Sequence, residues 1–445
     1  MRLGQRLLLL DGPGGRAAAL AARLEEAGCA CRRLDDAHEL DAAVLGSRAE
    51  VVALDLEHPQ ATALARHLLA PDAQVTTSVT LLAGSEADNV ASMALALGTD
   101  DLLGVDDPMP AVLSRIEVLG RAARVRRAVE RLRAVLAEFG VREGGGPTGP
   151  HGPPLQILVV GPSGSRVSAL VPLLGGQART TFADSLAAAE ARLAETAFDA
   201  VLATTAEFVA PDWPPERLGQ LPVLISASDG WPQARHLSNR GPVEVLHEPL
   251  PVEVISLRLR LWTRQLLDRR WLRQATRTGT GGRFSNDHLT GVLAFGPAHE
   301  YLRRAMAAAP QERFALVLVD WTGVGPINRR EGYAAGDRAL IDFAEGVRGA
   351  VRAEDVPARL GAAAFAVVAA GLEQDAAEAF ALRLLGAGWQ AARAVGDERV
   401  ARVGVVWPRA DEEPADAVQR ARDACRTIYW DRLGGVERTT LLAAV

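Results

Sequence analysis

The sequence predicts two doubly wound α/β domains followed by one mixed α+β domain. Short apolar runs alternate with Ala/Leu-rich helical stretches through the first third, and the same order recurs about 150 residues later. Beyond residue 284 the pattern of runs changes. A chain of 445 residues is also too long for one hydrophobic core, so roughly three domains are expected. The predicted domains are 1–120, 155–275 and 284–445, with a long helix and a Gly/Pro linker at 121–154.

In the first domain, four apolar runs predict the strands of a sheet. They are Arg6–Leu10, Val51–Leu54, Val79–Leu82 and Asp101–Leu103. Asp11 and Asp55 come directly after the first two runs. Helical spacing between the runs makes a βα alternation, which implies a parallel sheet with helices on both faces.

The second domain repeats this order with different residues. Its predicted strands are Gln156–Val160, Phe198–Ala203, Pro222–Ser226 and Val243–Leu246. An arginine-studded helix at Arg121–Phe139 and a linker at Gly144–Pro154 precede it, because glycine and proline cannot continue a helix. A further helix at Val252–Gln274 leaves the domain, and Thr276–Arg283 is the next hinge. An internal duplication explains the repeat.

From Phe284 onward, helices and strands are mixed. Strands are predicted at Phe314–Val319, Ala364–Ala370 and Val400–Val406, and helices at Asp337–Arg348 and Asp375–Leu385. This order is typical of an α+β domain of ordinary size.

The composition excludes several classes of function. The net charge of −6 argues against a general nucleic-acid binder. All 49 basic residues are arginine, which excludes lysine Schiff bases and the lysine of a P-loop. Cys29, Cys31 and Cys425 are too few for a disulfide framework or a zinc site. No apolar run is long enough to span a membrane and no secretory leader is evident, so a cytoplasmic protein is expected.

The two early domains resemble the CheY-like (flavodoxin-like) receiver domains of response regulators. In that family an aspartate after the third strand accepts a phosphoryl group, and acidic residues after the first strand hold Mg²⁺. The resemblance implies that Asp55 is a candidate phosphoacceptor and Asp11 a candidate metal site, with Mg²⁺ bound only if the domain is phosphorylated. Ala83 and Val105 stand where the family has a hydroxyl and a lysine. The alternative, that Asp55 merely ends a strand, stays open.

The second receiver-like domain departs further from the family pattern. Gly161, Thr204 and Glu248 stand at the acidic, phosphoacceptor and lysine positions, although Ser226 is retained. Without a carboxylate cluster a divalent ion has no oxygen cage. We therefore expect this domain to act as an adaptor that packs against its neighbours.

The third domain resembles GGDEF (nucleotidyl cyclase-like) domains. Three fragments carry this resemblance, in the family's order: Asp287-His288-Leu289-Thr290-Gly291; Ile327-Asn328 with Gly332 and Gly336-Asp337; and Arg352-Ala353-Glu354-Asp355 followed by Gly361-Ala362-Ala363-Ala364-Phe365. Together with the two receiver-like domains, they give the arrangement of PleD-type response regulators.

The resemblance implies that the catalytic centre has been lost. Leu318 is assigned to the first metal-binding aspartate of the family, and the signature turn reads GAAAF, so its acids are alanines. Asp320 remains, followed by an apparent two-residue insertion. Near the C-terminus Arg432 stands at a phosphate-binding lysine and Val436 replaces an arginine. The sequence therefore predicts a protein that is not an enzyme, and it assigns no metal site in this domain.

The regulatory site of the family is retained by resemblance. Arg352, Asp355 and Arg383 match the positions that bind cyclic di-GMP in the inhibitory site. Asn328 and Asp337 match the guanine-recognising pair and are candidates for a vestigial guanine site. The alternative is that Asn328 caps a loop and Asp337 caps the helix that it begins.

The expected function is a non-catalytic cyclic di-GMP effector that acts as a signalling adaptor. Within its family the chain is most similar to a member with a role in cell-cycle proteolysis at the cell pole. Cyclic di-GMP, protein partners and a homodimer are therefore expected, without nucleic acid or membrane insertion. The alternatives are an active or residual diguanylate cyclase and a scaffold without a ligand.

Overall fold

The chain forms two compact units. The first comprises Met1–Ala123 and Gly152–Arg270, and the second comprises Arg124–His151 and Trp271–Val445. The computed structural model describes residues 7–47, 49–70, 76–84, 87–141, 153–161, 166–204, 221–227, 243–247, 250–276, 285–308, 313–393, 402–409 and 411–425. Within these ranges no helix combines the length and apolar character needed to cross a membrane.

The first sheet of the first unit has five parallel strands. They are β1 (Leu7–Leu10), β2 (Arg32–Leu34), β3 (Val51–Asp55), β4 (Ser78–Ala83) and β5 (Asp101–Gly104), in the order β2-β1-β3-β4-β5. The helices are α1 (Arg16–Glu26), α2 (Ala37–Ser47), α3 (Ala61–Leu68), α4 (Ala87–Leu97) and α5 (Met109–Glu138). This is the doubly wound order in which ligands bind beyond the carboxyl ends of the strands.

The second sheet of this unit repeats the same topology. Its parallel strands are β6 (Leu155–Val160), β7 (Ala178–Ala183), β8 (Ala200–Thr204), β9 (Val223–Ala227) and β10 (Val243–His247), in the order β10-β9-β8-β6-β7. Helices α6 (Arg166–Leu170), α7 (Leu186–Glu195) and α8 (Val252–Ala275) accompany them. The predicted internal repeat is thus present as two sheets of equal strand order.

Helix α8 is shared by the cores of both sheets. Val254 and Leu257 pack into the core of the first sheet, whereas Leu259 and Trp262 pack into that of the second. Alternate faces of the same helix therefore close two hydrophobic cores, which ties the two sheets into one unit.

A buried ion network lies where the two sheets meet through α8. Asp101 on β5 is completely buried and lies 2.6 Å from Arg115 Nη2 on α5 and 3.2 Å from Arg258 Nε on α8. Arg115 Nη1 also lies 2.6 Å from Glu244 Oε1 on β10. Burial opposes ionisation of Asp101, but the two guanidinium groups outweigh it and hold the pKa of Asp101 below its ordinary value.

The second unit contains a four-stranded antiparallel sheet. Its strands are β11 (Phe314–Asp320), β12 (Val356–Gly361), β13 (Ala364–Ala370) and β14 (Arg402–Val406), in the order β12-β13-β11-β14. Its helices are α9 (Phe295–Ala307), α10 (Val324–Glu331), α11 (Tyr333–Ala350), α12 (Gln374–Arg393) and α13 (Pro414–Cys425). The alternating residues of β11 face two cores, with Val317 and Val319 in one and Leu316 and Leu318 in the other.

The last turns of α5 belong to the second unit and cover the sheet there. Val125, Leu132 and Leu136 are buried against Tyr301 and Leu302 of α9. The predicted helix at Arg121–Phe139 is therefore only the distal part of a 30-residue helix that begins at Met109. The sequence has no helix break between the two parts, because the same apolar spacing continues from the part that packs in the first unit to the part that packs in the second.

Several predicted features fall outside the described residues. These are most of the linker 144–154, the hinge 277–283, Glu248, Arg432 and Val436.

Candidate functional site

The GAAAF motif forms the tight turn of a hairpin. Strand β12 ends at Gly361, which pairs with Ala364 at the start of β13, so Ala362 and Ala363 make the turn. Ala362 has a φ of +31°, in the left-handed region where a side chain costs about 1–2 kcal/mol. A methyl group thus stands where the backbone geometry favours glycine.

Arg359 holds this turn through hydrogen bonds, and Asp287 in turn orients Arg359. Arg359 donates from Nε to the carbonyl oxygen of Ala362 at 3.1 Å and from Nη1 to Asp287 Oδ1 at 2.8 Å. Asp287 also accepts from the backbone and hydroxyl of Thr290. Burial disfavours its charge, but the hydrogen bonds from Thr290 and Arg359 lower the pKa of Asp287. Sequence reasoning missed Arg359, which stands only two residues before the motif.

The carboxylate beside the turn belongs to Asp320, which corrects the assignment of Leu318 to the first metal position. Asp320 ends β11 opposite Ala364, and Trp321 N–H donates to the Ala363 carbonyl at 3.0 Å. Leu318 lies two residues earlier with its side chain buried in the core. A charge at Leu318 would be buried in an apolar core, whereas the strand end at Asp320 can carry one.

Asn328 and Asp337 do not have the capping roles offered as the alternative. Helix α11 begins at Tyr333 rather than at Asp337, and Asn328 lies within α10. Gly332, at a φ of +85°, ends α10 and precedes α11. The chain turns at Gly332, so α11 starts four residues earlier than the sequence pattern predicted.

The Asn328 side chain packs directly against Gly336. A Cβ on Gly336 would lie 1.8 Å from Asn328 Oδ1, so any other residue there would have to displace the Asn328 amide. Within the described residues, Asn328 Oδ1 is buried and has no hydrogen-bond partner. Asp337 follows Gly336 on the exposed side of α11. A buried amide oxygen without a partner is a candidate ligand contact, which keeps Asn328 as a candidate for the guanine site.

The R-x-x-D fragment forms the turn before β12. Asp355 is 5% exposed, and its Oδ2 accepts from Arg352 N–H at 2.8 Å. Its Oδ1 accepts from Ala370 N–H at 3.1 Å, at the end of β13. Arg352 and Arg383 are both exposed, and the Arg383 guanidinium lies 5.1 Å from the Phe380 ring centroid. The carboxylate is thus oriented by the backbone, and the two arginines face solvent.

The electrostatics connect these three residues. Arg383 is exposed as a whole, but partial burial of its guanidinium, and then the positive charge of Arg352, lower its pKa, while Asp355 opposes this change. Burial and the neighbouring Glu354 carboxylate raise the pKa of Asp355 to about 7, against hydrogen bonds from the backbone and the charge of Arg352. Two like-charged guanidinium groups therefore act on each other around one buried carboxylate, which favours binding of an anion.

In the first unit, Asp11 and Asp55 end neighbouring strands as predicted. Asp55 is fully buried and its closest charged partner is Arg16 on α1, with Nη1 at 3.3 Å from Oδ1. Arg33 Nη1 lies 3.6 Å from Asp11 Oδ2, so each of the two carboxylates that would bind Mg²⁺ has an arginine beside it, and a guanidinium repels a divalent cation. The residues at the end of this sheet therefore do not fit the Mg²⁺ ion that the receiver resemblance implies.

In the second sheet Gly161 and Ser226 lie at the corresponding strand ends.

Comparison with known proteins assigns the second unit's domain. Residues 285–428 match the family model "Diguanylate cyclase, GGDEF domain". Residues 285–428 are a GGDEF domain. The diguanylate cyclase TpbB of Pseudomonas aeruginosa is 41% identical over 77 residues, which cover 17% of this chain and 18% of the relative. The chain therefore spans under a fifth of the length of that curated relative.

Solved GGDEF structures are also similar to parts of the chain. The diguanylate cyclase SiaD of P. aeruginosa in complex with its activator SiaC is 24% identical over 44% of this chain and 68% of that chain, with a TM-score of 0.30. The GGDEF domain of P. aeruginosa TpbB is 27% identical over 32% of this chain and 86% of that chain, with a TM-score of 0.28. The coiled coil and GGDEF domain of Caulobacter crescentus DgcB, in complex with c-di-GMP, is 19% identical over 32% and 79%, with a TM-score of 0.29.

These matches overturn the prediction that the chain is not an enzyme. The GGDEF domain matches a family of diguanylate cyclases, and the curated relative is a diguanylate cyclase. The alanines of the turn do not by themselves demonstrate loss of activity. Magnesium is often held by only one or two carboxylates together with substrate phosphates, and Asp320 keeps a carboxylate beside the turn.

Replacing Ala362 by glycine should stabilise the second unit. The left-handed φ of Ala362 is free of penalty for glycine, so we expect a gain of roughly 0.5–1 kcal/mol after the entropy cost of glycine. Urea denaturation of the full chain measures it. The matched variant Ala363→Gly removes a buried methyl from the core and should destabilise by about 1 kcal/mol. A destabilising Ala362→Gly would contradict the strained turn.

Proposed function

We propose that the GGDEF domain binds cyclic di-GMP at Arg352, Asp355 and Arg383. The observation that carries the proposal is the grouping of two exposed guanidinium groups around one buried, backbone-oriented carboxylate. Cyclic di-GMP carries two phosphodiester anions and two guanine bases. The two arginines offer positive charge to the phosphodiesters, and Asp355 offers a hydrogen-bond acceptor to the guanine bases.

The arginines are suited to the phosphates and to the Hoogsteen edge of guanine. An arginine fork donates two parallel hydrogen bonds to a phosphate or to guanine O6 and N7. Within the described residues, no ion pair or side-chain hydrogen bond occupies the Arg352 guanidinium. The ligand therefore does not have to displace an existing partner of Arg352.

Asp355 is suited to the Watson–Crick edge of guanine. A carboxylate can accept from guanine N1–H and N2–H, and each oxygen of Asp355 has spare acceptor capacity beyond its one backbone hydrogen bond. Because the backbone already fixes the orientation of the carboxylate, the ligand loses less free energy in ordering it.

The two parallel-sheet domains of the first unit are receiver-like modules in this proposal. Their support is the strand order 2-1-3-4-5, found in both sheets, which is the flavodoxin-like doubly wound order. A response-regulator arrangement of receiver, receiver and GGDEF domain follows from the two proposals together. Protein partners, a homodimer and a location at the cell pole stay predictions.

The test is an equilibrium titration of the full chain with cyclic di-GMP by calorimetry. Saturable binding that cyclic di-AMP does not reproduce supports the proposal, and the absence of heat at millimolar ligand contradicts it. Incubation with GTP and Mg²⁺ measures turnover in parallel, so that product formed from GTP is distinguished from ligand binding.

The affinity for cyclic di-GMP should fall as the pH is lowered through about 7. The Asp355 carboxyl, whose pKa is raised to about 7, must be ionised to accept from guanine. The ionised fraction drops on acidification, so binding at pH 6 should be roughly tenfold weaker than at pH 8. Titrations at both pH values measure this. Asp355→Asn should bind weakly at both, and a wild-type affinity that is equal at the two values would refute the role of Asp355.

A further inference from the structure

The carboxylate of Asp55 is enclosed by protein groups on every side that the structure describes. Its Oδ1 accepts from Arg16 Nη1 at 3.3 Å and from Glu57 N–H at 3.1 Å. Its Oδ2 is buried without a hydrogen-bond partner among the described residues. A buried carboxylate needs a positive partner to stay charged, and Arg16 supplies one.

Arg16 is held by two acids at once. Its Nη1 faces Asp55, and its Nη2 lies 3.0 Å from Glu57 Oε1. Arg16 is also the first residue of α1, where the helix dipole disfavours a cation. The two carboxylates therefore offset the unfavourable interaction of Arg16 with the helix dipole and hold its guanidinium beside Asp55.

The loop before α1 lies directly on the Asp55 carboxylate. A Cβ on Gly12 would lie 2.9 Å from both Asp55 Cγ and Oδ2, and one on Gly14 would lie 2.1 Å from Glu57 Oε2. At position 12 a side chain would meet the buried Asp55 carboxylate, so this close approach favours glycine. The loop backbone therefore packs against the Asp55 carboxylate.

Asp11, the second acid of the predicted metal site, is directed elsewhere. Its Oδ1 accepts from the backbone N–H groups of Gly12 and Ala17, both at 3.1 Å. Its Oδ2 lies 3.6 Å from Arg33 Nη1. The carboxylate thus holds the loop and the first turn of α1, and it faces a second arginine.

We propose that Arg16 is an internal counter-ion that takes the place of both the divalent metal and the lysine of a receiver domain. The chain has no lysine, and Val105 stands at the position after the fifth strand. Arg16 supplies the missing positive charge from the first helix instead. Because arginine does not lose its proton in proteins, Arg16 balances the negative charge of Asp55 at any Mg²⁺ concentration. The inference rests on the proposed receiver-like nature of this domain and is independent of cyclic di-GMP binding.

Manganese binding to the full chain tests this proposal, with Mn²⁺ as a paramagnetic substitute for Mg²⁺. Free Mn²⁺ is measured by electron paramagnetic resonance for the wild type, Asp55→Asn, Arg16→Gln and the double variant. The wild type and Asp55→Asn should titrate identically. Arg16→Gln should bind Mn²⁺ at least about tenfold more tightly than the wild type, because the cation that repels Mn²⁺ from Asp55 is removed. The double variant should lose this added affinity. The Asp55-dependent difference separates this site from any ion bound in the GGDEF domain.

Arg32→Gln is the matched control. Arg32 pairs with the exposed Glu39 on the same domain, so its removal changes the net charge equally and should leave Mn²⁺ binding unchanged. Asp55-dependent Mn²⁺ binding by the wild type would overturn the proposal, and this comparison holds even if Arg16→Gln fails to fold. An Arg16→Gln protein with a wild-type melting curve and no added site would overturn it as well.

Discussion

Arg115→Ala is expected to destabilise the first unit by about 3–5 kcal/mol, the cost of breaking a buried ion pair from one side. The substitution leaves Asp101 fully buried with Arg258 as its remaining charged partner in the network, and leaves Glu244 without the 2.6 Å contact. The pKa of Asp101 should then rise towards or above its ordinary value, because its largest stabilising charge is gone. Urea denaturation, monitored by hydrogen exchange in peptides from each unit, measures the loss of stability separately for the two units.

The effect should be confined to peptides from the first unit, such as those of β5 and β10. Arg121→Ala on the same helix is the matched control, since among the described residues Arg121 pairs with Glu117 alone, at 3.4 Å and at the surface. Its cost should be no more than about 0.5 kcal/mol. Equal destabilisation by the two variants would show that helix propensity, and not the buried network, determines the stability.

Arg352→Ala is expected to reduce the affinity for cyclic di-GMP by roughly 30-fold or more, which corresponds to about 2 kcal/mol for a charged hydrogen-bonding group. The physical reason is that Arg352 is an exposed cation that also contributes positive potential at Arg383. Its backbone N–H still binds Asp355 in the alanine variant, so the turn should keep its shape. Calorimetric titration of the full chain, together with a melting curve, separates lost contacts from lost folding.

Arg313→Ala provides the control for net charge. Arg313 is an exposed arginine of the same domain that pairs with Glu373 at 3.4 Å, and its loss should change the affinity by about twofold or less. Equal losses in the two variants would indicate a nonspecific electrostatic effect. An unchanged affinity in Arg352→Ala would place the ligand at another site.

The sequence indicated most of the sheet architecture correctly because apolar runs report strands directly. Predicted runs such as Val51–Leu54 and Ala364–Ala370 agree with β3 and β13 to within one residue. Helix starts were less accurate: α11 begins at Tyr333, not Asp337, since Gly332 rather than an aspartate separates it from α10. Caps depend on backbone dihedral angles, which the residue pattern only suggests.

The candidate site was predicted in part. Arg352, Asp355 and Arg383 were singled out by their distance from a recognisable motif. The role of Arg359 depends on hydrogen bonds to Ala362 and Asp287, and that of Asp320 depends on its pairing opposite Ala364. Neither relation is visible in the chain order, because the partners come from strands that meet only in the folded sheet.

By itself the sequence determined which residue types are available and where strands alternate with helices. It established the repeat, the absence of lysine and the alanines of the turn. Only the tertiary structure decided which charges meet: Arg16 with Asp55, and Arg115 with Asp101 and Glu244. The reason is physical, since local periodicity depends on near neighbours in the chain, whereas a buried ion pair forms between residues that only folding brings within a few ångströms.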